Sequence, residues 1–77
     1  MLNTVDLELD LSGLTCPLPL LKTKQSLNKL HSGQVVKVIA TDPGSERDFQ
    51  VFAEQSGNQL LEFEKADNRF VYWIRKS

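Results

Sequence analysis

The sequence predicts an α+β fold in which two helices pack on one face of a four-stranded mixed β-sheet. Residues 5–11 alternate between apolar and acidic side chains, a pattern typical of a half-buried strand. Residues 17–30 and 45–56 carry apolar side chains at helical spacing, and residues 58–65 and 69–76 alternate again. The element order is therefore βαβαββ, and this two-layer arrangement uses all of the apolar faces.

The composition favours one globular domain, residues 1–77, and disfavours several classes of function. Hydrophobic residues make up 40% of the chain and charged residues 25%, which are ordinary values for a globular protein. The formal net charge of -1 provides no overall basic field for nucleic acid or an anionic membrane. A single cysteine cannot form an internal disulfide and no apolar run is long enough to span a membrane, so we expect a cytoplasmic protein.

The first strand leads into a loop, residues 12–15, and then to the only cysteine, Cys16. Pro17 and Pro19 follow, and proline is tolerated in the first turn of a helix because its missing N–H would have no partner there. We therefore expect the first helix to begin at about Cys16 or Pro17. With Cys16 as the N-cap, Leu18 supplies the one first-turn N–H open to the thiol, because Pro19 has none.

The first helix is expected to pack on the core by one stripe and to expose Leu18 on its polar side. The leucines of that stripe are Leu20, Leu27 and Leu30. Gly33 suits a left-handed cap at the end of the helix. The segment 34–41 is rich in Val and Ile, and a strand, helix, strand succession implies a parallel pair with a right-handed crossover.

The second helix is predicted over residues 45–56, with Asp42 or Ser45 as its N-cap and Gly57 as its natural end. Its buried face carries Phe49, Phe52 and Ala53. The last two strands are joined by residues 66–68 and should form a hairpin.

Chemistry is expected at Cys16, because a thiol reacts as its thiolate and this one lies at a helix N-terminus. The helix dipole supplies about 0.3–1 kcal/mol, whereas lowering a thiol pKa by two units needs about 2.7 kcal/mol. We therefore expect a modestly acidified, exposed thiol, held on a rigid turn by Pro17 and Pro19, that receives a group and passes it on. A buried structural cysteine is the alternative, since free cysteine is among the most buried residue types.

A second hypothesis concerns the last strand, which interleaves basic and aromatic residues. Alternation places Arg69, Val71, Trp73 and Arg75 outside and Phe70, Tyr72 and Ile74 inside. An exposed aromatic ring flanked by arginines can stack on a nucleic-acid base. Under this hypothesis the protein is a non-catalytic RNA-binding or regulatory module that uses the open sheet face.

A metal site is not expected, because one cysteine and one histidine are too few ligands to hold a metal ion.

A longer pattern covers about residues 7–76. Gly13-Leu14-x-Cys16-Pro17-x-Pro19 follows a Leu-Asp-Leu strand, and further landmarks are Gly33, Thr41-Asp42-Pro43, Asp48, Gly57 and Ile74-Arg75-Lys76. This pattern resembles the TusA family, also called SirA-like, of small sulfur-carrier proteins. The resemblance implies a two-layer α/β sandwich with strand order 1-2-4-3, like the C-terminal domain of translation initiation factor 3.

The resemblance also implies a function: Cys16 accepts a persulfide sulfur from a cysteine desulfurase and hands it to an acceptor protein, as in the synthesis of 2-thiouridine in tRNA. Such a carrier needs no cofactor or metal, and we expect it to be monomeric alone and to lack independent turnover. Gly13, Pro17 and Pro19 would support the site. The predicted partner contacts are Leu18, Lys22, Arg47 and Asp48.

Two positions depart from relatives in the family. Ala53 stands where some members carry a second cysteine, and Leu18 stands where the tRNA-thiolation member has an acidic residue. A sulfur or selenium carrier in another pathway is therefore an open alternative.

Overall fold

The computed structural model describes residues 5–15 and 17–77, and its elements follow the predicted order. The strands are β1 (Leu7–Leu11), β2 (Val35–Ala40), β3 (Gln59–Ala66) and β4 (Arg69–Arg75), and the helices are α1 (Leu18–Leu27) and α2 (Ser45–Ser56). The predictions about Cys16 itself fall outside these residues. No helix within the described ranges combines the length and the apolar character needed to cross a bilayer.

The four strands form one sheet in the order β1-β2-β4-β3, which confirms the order implied by the resemblance. β1 pairs with β2 in parallel, with Leu11 opposite Ala40, and the other two pairings are antiparallel. Parallel neighbours end at the same edge of the sheet, so the loops after β1 and β2 leave it side by side. That edge also receives the N-terminal ends of both helices.

The core lies between the sheet and the two helices. Its fully buried side chains include Val36, Val38, Tyr72 and Ile74 from the sheet and Phe49 from α2. The Tyr72 ring stacks on Phe49 with centroids 4.3 Å apart, and its hydroxyl group is 2.8 Å from Ser45 Oγ. The first turn of α2 is therefore fixed to β4 by both a polar and an aromatic contact.

Helix α1 is shorter than predicted at both ends. It begins at Leu18, with Pro17 as its N-cap, and ends at Leu27. The residues after Leu27 continue in tighter turns, because the N–H of Leu30 donates to the carbonyl three residues earlier at 3.1 Å. Gly33 does take a left-handed φ of 88°, but it lies in the turn before β2 and is not a helix cap.

Helix α2 has the predicted bounds, and Gly57 ends it with a left-handed φ of 83°, as expected. Its N-cap is Gly44, so the prediction of Asp42 or Ser45 is wrong. The reason is that the Ser45 hydroxyl is engaged with Tyr72, while the Asp42 carbonyl accepts the Ser45 N–H at 3.0 Å.

Candidate functional site

The loops after β1 and β2 are fastened together where they leave the sheet. The Gly13 N–H donates to Thr41 Oγ1 at 2.9 Å. Gly13 has a φ of 85°, a left-handed value that favours glycine because it has no side chain. The Leu14 N–H donates to the Leu11 carbonyl at 3.2 Å and closes the turn. These bonds hold the backbone that leads to position 16.

Backbone donors are scarce at the first turn of α1. The Leu18 N–H, predicted to be open to the thiol, donates to the Thr15 carbonyl at 2.9 Å, so that prediction is wrong. Pro17 and Pro19 have no N–H, although a helix N-terminus ordinarily offers four unpaired N–H groups. The Leu21 N–H donates to the Pro17 carbonyl at 3.1 Å and begins the helical ladder. Pro17, Leu18 and Pro19 therefore offer no unpaired N–H at this helix end.

The turn after position 16 is anchored in the core. Pro19 is buried, and its carbonyl accepts a hydrogen bond from Thr23 Oγ1 at 2.8 Å. Thr23 is fully buried one helical turn further on. Leu18, between the two prolines, has 42% of its surface exposed, as its place on the helical wheel predicted. The segment thus combines a fixed backbone with an exposed apolar side chain.

The four predicted partner contacts lie on two different surfaces. Leu18 and Lys22 are exposed on α1. Arg47 and Asp48, in the first turn of α2, line a groove of about 430 Å³ between the helices, together with Leu20 of α1. Leu18 and Lys22 are not part of its lining, so the structure does not bring all four residues together.

The sequence prediction missed three features near this edge. Leu21 and Val51 are 46% and 40% exposed, and their positions off the buried stripes could have revealed them. Phe52 faces the groove beneath the Lys24 ammonium, whose Nζ lies 5.6 Å from the ring centroid. The third is the Asp42 carboxylate, which the sequence marked only as a helix cap.

The open sheet face does not have the character of a nucleic-acid groove. Trp73 is half-buried, and its ring is covered by Lys37, whose Nζ lies 5.6 Å from the centroid. Val71, predicted to point outward, is only 7% exposed between its neighbours on β2 and β3. The edge strands also carry carboxylates on this face. Hydrogen bonds from the hydroxyl and the backbone N–H of Ser12 hold the pKa of Asp10 below its usual value. The acidic residues on this face are Glu8, Asp10, Glu62 and Glu64.

Known proteins match the chain along nearly all of its length. The family described as Sulfurtransferase TusA matches residues 7–76. Over 72 residues the chain is 56% identical to the sulfur carrier protein TusA of Allochromatium vinosum, covering 94% of this chain and 95% of that protein. It is 44% identical to the sulfur carrier protein TusA of Pseudomonas syringae, covering 95% of this chain and 87% of that protein. The crystal structure of a SirA-like protein from Desulfitobacterium hafniense matches with a TM-score of 0.78 and 31% identity, covering 90% of this chain and 95% of that one.

Proposed function

Since this chain belongs to the TusA family of sulfur carrier proteins, we propose that Cys16 receives a persulfide sulfur from a cysteine desulfurase and delivers it to an acceptor protein. The observation that supports this role is the donor-poor first turn of α1. The Leu18 N–H is bonded to Thr15, and Pro17 and Pro19 have none. A thiol in this setting lacks the strong activation that an enzyme needs to attack an inert bond. A carrier that must release its sulfur needs no such activation.

Two thiol–persulfide exchanges make up the proposed cycle. In loading, the Cys16 thiolate attacks the terminal sulfur of the donor's cysteine persulfide, and a new S–S bond forms. The donor's S–S bond breaks, and its electron pair goes to the donor cysteine, which takes up a proton. In delivery, a thiolate of the acceptor protein attacks the terminal sulfur on Cys16, and Cys16 leaves as a thiolate. No oxidant, reductant or cofactor is consumed.

We propose that the two partners dock on the two surfaces that carry the predicted contacts. Leu18 and Lys22 offer an apolar and a basic contact on α1, and Arg47 and Asp48 border the groove between the helices. Synthesis of 2-thiouridine in tRNA is one cytoplasmic pathway that such a carrier can serve. Leu18 in place of an acidic residue leaves other sulfur or selenium pathways as alternatives.

The direct test is incubation of the protein with a cysteine desulfurase and ³⁵S-labelled cysteine. We expect label that is released by reductant on the wild-type chain and background labelling on Cys16→Ser. Circular dichroism establishes that the variant is folded, so that loss of label reports the missing sulfur. Equal labelling of both proteins, or no label on either, would refute the carrier role of Cys16.

A further inference from the structure

The two edges of the sheet differ in how they are protected against a further strand. An edge strand presents main-chain N–H and C=O groups without strand partners, and proteins commonly protect such an edge with a bulge or a lysine. The β3 edge has both devices. Its pairing with β4 is irregular between Leu60 and Glu62. The Lys65 ammonium lies 5.7 Å from the centroid of the Phe70 ring and 3.7 Å from Glu46 Oε1, so a further strand is disfavoured here.

The β1 edge has neither device. The strand pairs with β2 in unbroken parallel register, and it contains no lysine and no proline. No strand lies on its outer side among the residues that the structure describes. The main-chain groups of alternate residues on that side are therefore open to a strand from another molecule, which is an established way for a sheet to bind a peptide.

The core side of β1 is incompletely covered. Leu7 and Leu9 pack against the core but remain only half-buried. Their neighbours in register on β2, Val36 and Val38, are fully buried. A strand added outside β1 would place its alternate apolar side chains beside the two leucines and remove apolar surface from water. The edge thus offers hydrophobic as well as main-chain contacts.

The opposite face of β1 is acidic. Glu8 and Asp10 are both exposed there, and Asp10 accepts hydrogen bonds from Ser12. Glu8 has no ion pair among the described residues. Lys37 is its neighbour in register on β2, but the Lys37 ammonium lies over the Trp73 ring, 5.6 Å from the centroid. A basic side chain on the added strand would supply the charge that Glu8 lacks.

We propose that the free edge of β1 binds an extended segment of a partner protein in which basic and apolar residues alternate. The apolar residues would lie beside Leu7 and Leu9, and the basic residues beside Glu8 and Asp10. A second copy of this chain does not fit, because both of its edge strands carry carboxylates on the same face and like charges would lie opposite each other. This contact is separate from the helix surfaces proposed for the sulfur donor and acceptor, so it goes beyond the proposed function.

The test titrates the ¹⁵N-labelled full chain with three acetylated and amidated heptapeptides. The first alternates lysine and valine, the second has the same composition in scrambled order, and the third alternates glutamate and valine. The second therefore keeps the charge without the alternation, and the third keeps the alternation with the opposite charge. We expect the first peptide to shift the backbone amide signals of residues 7–11 and to bind at least about tenfold more tightly than either control.

Two variants test the charge on the protein. Glu8 and Glu62 lie in the same row across the sheet, at its two edges, with Lys37 and Trp73 between them. Both glutamates are exposed, so we expect circular dichroism to show both variants folded. Glu8→Lys should weaken binding of the lysine–valine peptide about tenfold, whereas Glu62→Lys should leave it within about twofold.

Equal binding of the lysine–valine peptide and either control peptide would overturn the proposal, and so would equal weakening by the two substitutions. The same conclusion holds if the peptide does not bind at about 1 mM, or if the shifted signals lie on the helices. Signals of residues 7–11 that shift with protein concentration alone would mean that β1 pairs with a second copy and that the proposed partner is wrong. The titration needs no cysteine desulfurase, so its result is independent of sulfur loading.

Discussion

Leu18 lies between two prolines and has 42% of its surface in solvent. We expect Leu18→Glu to change the free energy of unfolding by less than about 0.5 kcal/mol, because the side chain is outside the core. Loading by the desulfurase should slow about tenfold, the effect of losing one apolar contact worth about 1.4 kcal/mol. Thermal unfolding and the initial rate of label transfer measure the two effects.

Gln25→Glu provides the control for Leu18→Glu. Gln25 is exposed two helical turns further along α1, and the substitution adds the same charge. Its loading rate should stay within about twofold of wild type, as expected for a charge at the rim of an interface. Equal slowing of both variants would mean that added negative charge, and not the loss of Leu18, impairs docking.

Periodicity predicted the exposure of Leu18 and the burial of Tyr72 and Ile74, because both properties follow from position on a helix or strand. It could not predict that the Leu18 N–H bonds to Thr15 or that Asp42 Oδ2 lacks a donor among the described residues. Both depend on how two loops fold against each other, and loop conformation leaves no periodic trace in a sequence. Exposure and burial could therefore be predicted from the sequence, whereas the hydrogen bonding of these loops could not.

At the level of elements, α2 depends on Tyr72 for its attachment to the sheet. Tyr72→Phe leaves the buried Ser45 hydroxyl without its partner at 2.8 Å, and we expect a loss of about 1–2 kcal/mol in the free energy of unfolding. Adding Ser45→Ala removes the unpaired hydroxyl and should restore part of that loss. Urea unfolding of the single and double variants measures the difference.

The same residue gives stability a pH dependence. Burial raises the pKa of Tyr72 from 10.0 to about 12, so the folded state keeps the proton to higher pH than the unfolded state. Stability is complete below pH 10 and falls as pH rises through 12, by up to about 3 kcal/mol, and Tyr72→Phe lacks this loss. Since the chain has one tyrosine, phenolate absorbance reports the titration directly. A midpoint near pH 10 in the folded protein would contradict the assignment.

The elements themselves were largely predictable, because apolar periodicity or a run rich in Val and Ile marks each of them and Gly or Pro bounds most of them. The end of α1 was not, since residues 28–30 continue in tight turns whose apolar Leu30 still packs on the core. The irregularity in β3 between Leu60 and Glu62 also has no sequence signal. The strand order was predicted from the family resemblance, because alternation identifies strands but does not give their order within a sheet.

For the whole molecule, charge is divided between its surfaces. Helix α1 carries Lys22 and Lys24 and no acidic residue, while the open sheet face carries four carboxylates on its edge strands beside the cations of Lys37, Arg69 and Arg75. The carboxylates outnumber the cations on the open sheet face, so this face has no net positive charge to attract the phosphate groups of RNA. The lysines of α1 would instead attract an acidic protein partner to the side of the molecule that carries this helix.

We therefore expect loading to depend on ionic strength. Raising NaCl from 0.05 to 0.5 M should lower kcat/KM for loading about tenfold, because screening shortens the reach of the α1 charges to a few ångströms. Neutralising Lys22 and Lys24 together, as Lys22→Gln and Lys24→Gln, should lower the low-salt value several-fold and flatten its dependence on salt. Lys37→Gln removes a charge from the opposite face, where Lys37 lies over Trp73, and should leave the salt dependence unchanged. If kcat/KM for loading does not change with NaCl concentration, or if Lys37→Gln lowers it as much as the double substitution in α1 does, then the basic surface of α1 does not guide the partner.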